Sequence, residues 1–277
     1  MEENFSMWKY TLMIVLFALS TALYAVFLWI FTQFPLWLIP GVTSLRPGNA
    51  FPPVTSLLWG PAASWGTAFG NLIGYDIMGG ALTIGSIGGF IGNFVYGLLP
   101  YYTYGKVFKE EPHCKSISSL AKFEATTFLT SSACGMVISL WTEAINFVPF
   151  GLLSLIITFN NFIAGAIIGP ILMALFYDRV KKMGWRWTDI MTGYSYTATE
   201  VSTKTMIGYG LVWLGFVIGN FITIGYALGV GQLNPFTGVG KFMFGGIGIA
   251  NSIVDTGLVF IIIGLVGLAL IPTRRKA

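Results

Sequence analysis

Residues 10–34 read YTLMIVLFALSTALYAVFLWIFTQF, 25 positions without a single charged side chain. A bilayer core of about 30 Å needs roughly 20 consecutive apolar residues in a helix. The stretch therefore predicts a transmembrane helix from Tyr10 to Gln33. It exceeds the signal-peptide core of about 7–15 residues, and no small-residue cleavage site follows it. The rest of the chain repeats the pattern. Of 277 residues, 55% are hydrophobic and 9% charged, against about 25% charged in a soluble domain. Too few polar groups remain to cover a water-soluble globule of this length.

Further apolar runs are separated by polar or Pro/Gly punctuation. A loop, Phe34 to Asn49, carries three prolines and Arg46, the only arginine before position 179. Phe51 to Gly60 and Pro61 to Tyr75 are each short for a full span, and Gly60-Pro61 breaks them into a hairpin of short helices. Such pieces are tolerated at membrane depth where protein or a cavity surrounds them. Spans are then expected over Thr83–Tyr104, Leu120–Trp141, Leu152–Tyr177, Met206–Val230 and Phe242–Ile271. The predicted fold class is an all-α polytopic membrane helix bundle with eight segments.

The basic residues set the sidedness. With the N-terminus inside and eight crossings, Lys9, the Lys106–Lys122 cluster, the Arg179–Lys204 cluster and Arg274, Arg275 and Lys276 share one side. That is 13 of the 15 Lys and Arg residues, leaving only Arg46 and Lys241 opposite. The positive-inside rule makes that side cytoplasmic, with both termini there. The net charge of +4 thus reports topology, and no nucleic-acid partner is expected.

Polar residues inside apolar spans face protein or a cavity, because hydrocarbon cannot satisfy them. Toward the outer side lie Arg46, Asn49, Asp76, Trp141, Glu143 and Asn146, with Asn160 and Asn161 deeper in the sixth span. These positions can converge on one outward-facing pocket. For Asp76 and Glu143 a hydrated loop position is the other reading. For the adjacent amides Asn160 and Asn161 it is helix–helix hydrogen bonding. Arg46, a planar group with five donors, suits a carboxylate or phosphate, or it ties the loop to Asp76 or Glu143. Asp255 is a carboxylate well inside the last span, four residues after Asn251. It either carries a proton or cation or bonds a neighbouring helix such as the one bearing Asn220.

Other chemistries find no support. His113 is the only histidine, and with Cys114 and Cys134 it assembles no metal site. Neither cysteine suggests a disulfide framework. No GxxxxGK[ST] loop occurs and no serine–histidine nucleophile pair is apparent. No enzyme activity and no cofactor are expected.

Helix 1 carries Ala18, Ala22 and Ala25, a strip of small residues on which another helix can pack. The segment Arg46-Pro-Gly-Asn-Ala-Phe-Pro-Pro continues through Gly60-Pro61, Gly66, Gly70 and Gly74 to Asp76. The stretch Gly85-Ser-Ile-Gly-Gly-Phe-Ile-Gly-Asn-Phe-Val-Tyr-Gly97 follows. A last segment runs from Phe159-Asn-Asn-Phe-Ile-Ala-Gly to Gly169-Pro170 and Tyr177-Asp-Arg-Val-Lys-Lys182. Together they resemble the substrate-binding S components of energy-coupling factor (ECF) transporters. The resemblance covers residues 1–182 as six helices. Family members usually stop there, whereas this chain continues through a cytoplasmic linker, 183–204, to two additional transmembrane helices over 205–277.

The resemblance implies a mechanism. An S component in a prokaryotic cell membrane captures a small solute under the loop between helices 1 and 2. It docks on a membrane scaffold subunit through the alanine strip, and two cytoplasmic ATPases drive its toppling. Ala18, Ala22 and Ala25 would then dock the scaffold. Trp37, Arg46 and Asn49 would form the lid; Asp76, Trp141, Glu143, Asn146, Asn160 and Asn161 are pocket candidates by position, since no strict family motif names them. Metal-importing relatives carry an N-terminal histidine motif that Met1-Glu-Glu-Asn-Phe5 lacks, so an organic, vitamin-like solute is implied. The alternative is a stand-alone secondary transporter or channel using Asp255 or Asp76 as a proton or cation site.

Overall fold

A computed structural model describes residues 2–34, 36–39, 43–195, 201–229 and 252–272. A short helix α1 (Glu3–Ser6) precedes the first long helix, α2 (Thr11–Gln33). Beyond α2 a small antiparallel ribbon forms from β1 (Leu36–Ile39) and β2 (Thr43–Leu45), and Trp37 pairs with Ser44. The ribbon occupies what the sequence leaves as a loop. A single 3-10 turn, Pro47–Ala50, then feeds α3 (Phe51–Trp59).

α3 stops where the sequence says it should. Gly60 adopts φ +51°, and Pro61 opens α4 (Pro61–Asn71). Proline suits the first turn of a helix, where its missing N–H leaves no bond unmade. A side chain at Gly60 would also strike the Trp187 ring at 2.6 Å. A π-turn, Leu72–Ile77, extends α4 and places Asp76. The remaining helices are α5 (Ser86–Val107), α6 (Ile117–Ala144), α7 (Phe150–Lys182), α8 (Trp187–Ile190), α9 (Thr203–Trp213), α10 (Gly219–Ala227) and α11 (Ser252–Leu270). A π-turn, Leu214–Ile218, joins α9 to α10. The chain is an all-α membrane bundle, and each of the eight predicted segments is helical over most of its described residues.

Among the described residues, four stretches are long and apolar enough to span a membrane by themselves: Thr11–Gln33, Phe150–Ile190, Thr203–Ala227 and Ile253–Leu270. α5 and α6 have the length but fall short in hydropathy for a structural reason. The inward face of α6 carries Thr126, Thr127, Thr130, Ser131, Ser132, Ser139 and Thr142, all buried. A helix enclosed by other helices need not be apolar all round.

Small residues set the closest seam. Gly66, Gly70 and Gly74, one turn apart, lie along α2, where added β-carbons would reach Ser20, Tyr24 and Ala25 within 2.9 Å. Such spacing lets two helix backbones touch. The charged loops gather at one end of the bundle. Glu110 pairs with Lys122 (2.6 Å), Glu111 with Lys181 (2.6 Å) and Arg186 (3.0 Å), and Lys115 with Asp178 (2.5 Å). Glu3 of α1 pairs with Lys106 at the same end. Tyr102, also near the end of α5, donates to the Ile271 carbonyl just past α11. Both described chain ends therefore lie on one side of the bundle. Trp187 packs back on Tyr101 there and Tyr194 packs on Trp187, so the start of the segment after α7 belongs to the packed structure.

Among the described residues, a buried amide is a hub between the C-terminal helical segments and the rest. Asn220 of α10, fully buried, accepts from Ser154 Oγ (2.7 Å). Its amide nitrogen donates to Ser132 Oγ (3.0 Å) and approaches Thr158 Oγ1 at 3.3 Å. Ser132 in turn donates to the carbonyl of Phe216 in the π-turn (2.7 Å).

Candidate functional site

In the half of the bundle away from the charged end, four elements bring amides and phenols together. Asn49 sits in the 3-10 turn at the mouth of α3. Asn161 lies 11 residues into α7 and Asn93 7 residues into α5, depths of about 16 Å and 10 Å at 1.5 Å per residue. Tyr24 lies 9 residues before the end of α2. The Asn49 amide donates to Asn161 Oδ1 (2.7 Å), and its own Oδ1 accepts from the Tyr24 hydroxyl (3.2 Å). The same hydroxyl lies 3.0 Å from Asn93 Oδ1, so one proton is shared between two acceptors. The Asn93 amide donates to the Gly89 carbonyl (2.8 Å). Tyr96 closes the cluster from α5, donating to the Asn49 carbonyl (2.7 Å). All five side chains are buried. Left unpaired, each polar group would cost about 1–3 kcal/mol, so the set holds one geometry.

Asp76 and Asn71 continue this polar band. Asp76 is 4% exposed, and its Oδ2 accepts from Asn71 Nδ2 at 3.2 Å. The bare face of Gly89 makes room for them, since a β-carbon there would stand 3.2 Å from Asn71 Nδ2. Asp76 is thus enclosed, and the hydrated-loop reading does not describe it. Arg46 does not tie the loop to a carboxylate: among the described residues it has no acidic partner within 4 Å. Its guanidinium lies over the Tyr75 ring, 4.4 Å from the centroid.

The other predicted positions divide. Asn160 is buried beside Asn161. Glu143 accepts from the Phe150 N–H (2.7 Å) and so stabilises the first turn of α7. Asn146 is exposed in the tight turn before α7 with φ +54°, a conformation asparagine tolerates. The Trp141 indole donates to the Ile84 carbonyl (2.9 Å), with the ring against Gly88. These three fix the α4–α5 and α6–α7 connections around the cluster. Trp37 lies in the ribbon, and its side chain is outside what is described. On α2, Ala18 and Ala22 are exposed, whereas Ala25 is 5% exposed and turned into the Gly74 seam. The expected three-alanine strip is therefore two alanines, because α4 already covers the third.

Asp255 lies in the first turn of the described part of α11, 4% exposed. Asn251, its expected neighbour, lies outside the described residues, as does Lys241. Asn220 is committed to Ser132, Ser154 and Thr158 and does not bond Asp255. At the opposite end, burial pushes the Cys114 thiol up to about 12, which keeps it protonated and a poor nucleophile.

Tyr24, Asn93 and Tyr96 are the cluster residues that sequence reasoning passed over. Asn93 was findable by the criterion that selects Asn160 and Asn161, an amide in an apolar, glycine-rich run. Tyr24 and Tyr96 carried no such signal, since a tyrosine in a membrane helix is equally at home at an interface.

The chain matches a family model described as QueT transporter over residues 14–178, more than half its length and including every residue of the amide cluster. No curated protein and no solved structure gives a significant match.

Proposed function

The chain belongs to the QueT transporter family, an S-component family of ECF transporters, and from that membership we propose that it captures a queuosine precursor at the amide cluster. The family is one of transporters and not of enzymes. The observation that carries the proposal is the bond between Asn49 and Asn161, which joins the base of the first outer loop to α7. Each asparagine presents a donor and an acceptor side by side. That pattern complements a small planar molecule with donors and acceptors along its edges, which would exchange the bonds the amides now make with one another. Asn160 and Asp76 lie beside this group, and Arg46 over Tyr75 offers a flat cationic surface at its mouth. Trp37 in the ribbon belongs to the lid.

In this reading the charged end faces the cytoplasm, as the basic residues require. The solute enters from the outside under the ribbon, and residues 1–182 act as the S-component core. Ala18 and Ala22 meet a membrane scaffold subunit, and cytoplasmic ATPases drive release inward. The two C-terminal segments, joined through Asn220, travel with the core.

The direct test is native mass spectrometry of the purified protein followed by titration with a queuosine-precursor base. Saturable binding that is lost in Asn161→Leu and kept in Asn220→Ala supports the assignment. Absence of binding by the wild-type protein, or equal binding by Asn161→Leu, overturns it.

A further inference from the structure

α5 carries a proline in its interior, Pro100. Proline has no N–H, so the carbonyl four residues earlier, that of Tyr96, loses its helical donor. Thr130 of α6 supplies one: its hydroxyl donates to the Tyr96 carbonyl across 2.8 Å. A second hydroxyl enters one residue further along. Ser56 of α3 donates to the Gly97 carbonyl (2.5 Å) and accepts from the Tyr101 N–H (3.1 Å). Those are the two groups that a regular turn pairs directly. Thr130 and Ser56 are both fully buried. Gly97 also lets α4 press in, since a β-carbon there would stand 2.8 Å from the Ala63 carbonyl. The turn of α5 bearing Tyr96 is thus held by three neighbouring helices.

That same turn holds the amide cluster. The Tyr96 hydroxyl donates to the Asn49 carbonyl at 2.7 Å and lies 3.4 Å from the Asn161 carbonyl. Its backbone is anchored by Thr130 while its ring tip anchors the loop and α7. Thr126, one turn earlier on α6, shows the contrasting habit: its hydroxyl bonds back to the Lys122 carbonyl of its own helix. Thr130 instead directs its proton across to α5. We propose that Thr130 is a positioning residue for solute recognition. By standing in for the amide that Pro100 lacks, it fixes Tyr96 and hence the register of Asn49 against Asn161. It touches no solute itself, and its role rests on reading the amide cluster as the solute site.

The test uses the full chain in nanodiscs, as wild type, Thr130→Val, Thr130→Ser, Pro100→Ala and the Thr130→Val/Pro100→Ala double variant. Hydrogen exchange of residues 46–55 is followed without solute, and affinity for a queuosine-precursor base is measured alongside. Thr130→Val is expected to speed exchange in 46–55 and weaken binding about fivefold, the scale of one hydrogen bond. Thr130→Ser should keep both near wild type. Pro100→Ala restores an N–H to the Tyr96 carbonyl, so the double variant should match Pro100→Ala alone. Unchanged exchange in Thr130→Val, or a defect that neither serine nor Pro100→Ala repairs, overturns the inference. A wild-type protein that binds no precursor, while exchange responds as stated, refutes the solute assignment and leaves the anchoring of Tyr96 established.

Discussion

The side-chain nitrogen of Asn49 donates to the side-chain oxygen of Asn161 at 2.7 Å, linking residues 112 positions apart. Asn49 ends the segment that leads down from the β-ribbon, and Asn161 sits deep in α7. Replacing Asn49 by leucine strips Asn161 Oδ1 of its donor and leaves the Tyr24 hydroxyl with Asn93 alone. The expected outcome is a loss of about 1–3 kcal/mol in stability for the group stranded, with solute binding abolished. Thermal unfolding in detergent and equilibrium binding measure the two effects on one preparation.

Arg46 lies over Tyr75 without an acidic partner among the described residues. Arg46→Ala is expected to weaken solute binding more than about tenfold if the guanidinium bonds the solute, the scale of a charge-assisted hydrogen bond of about 1.5–3 kcal/mol. Arg46→Lys should recover little, because an ammonium has no flat face. Unchanged affinity in both would reduce Arg46 to a prop for the loop.

On α2 the two sides predict opposite phenotypes. Ala18→Trp with Ala22→Trp changes exposed positions and should abolish uptake while binding and stability persist. Ala25→Leu enlarges a buried residue against Gly74 and should lower the melting temperature first. Uptake assays in cells paired with melting curves separate the cases, and full activity of the double tryptophan variant would refute scaffold docking there.

Truncation after residue 203 removes Asn220 and leaves Ser132, Ser154 and Thr158 facing an empty seam. The shortened protein is expected to insert and fold as six helices with a lower melting temperature. Asn220→Ala in the full chain should reproduce part of that drop, about 1–3 kcal/mol. A truncated protein as stable as the full chain would show that the seam contributes nothing.

The loop after α5 supplies a pH prediction. Hydrogen bonds from Lys122, Ser116 and Ser118 hold the Glu110 carboxyl down at about 2. A depressed carboxylate stabilises the fold above its unfolded value, and that contribution fades as pH falls through the folded one. Protease protection of residues 106–118 should therefore hold from neutrality to about pH 4.5 and fade from there toward pH 2. Glu110→Gln should lose protection already at pH 7, and protection that ignores both acid and the substitution would contradict the assignment.

Much of the architecture was legible because membrane helices announce themselves. The run from Tyr10, the Gly60-Pro61 break and the charged loop at Lys106 each fall where the helices begin, turn or end. The β-ribbon was not legible, since its residues lie among prolines with no clear alternation. The buried polar cluster proposed as the site was half legible. Asn49, Asn161 and Asp76 stood out as polar groups in apolar surroundings, but linear order could not tell that Glu143 and Trp141 are occupied with backbone groups. Nor could it show that Tyr24 reaches both Asn49 and Asn93. Those facts depend on the rotation of each helix about its axis, which the glycine seams set and composition does not.

The seam between α2 and α4 has a mechanical consequence. With Gly66, Gly70 and Gly74 set against its backbone, α2 cannot roll or slide alone, so the two helices move as one stiff slab. One flank of that slab presents Ala18 and Ala22, and its interior edge carries Tyr24. Any torque delivered at the alanines must therefore swing the phenol that grips Asn49 and Asn93, which gives an outside push a direct grip on the latch.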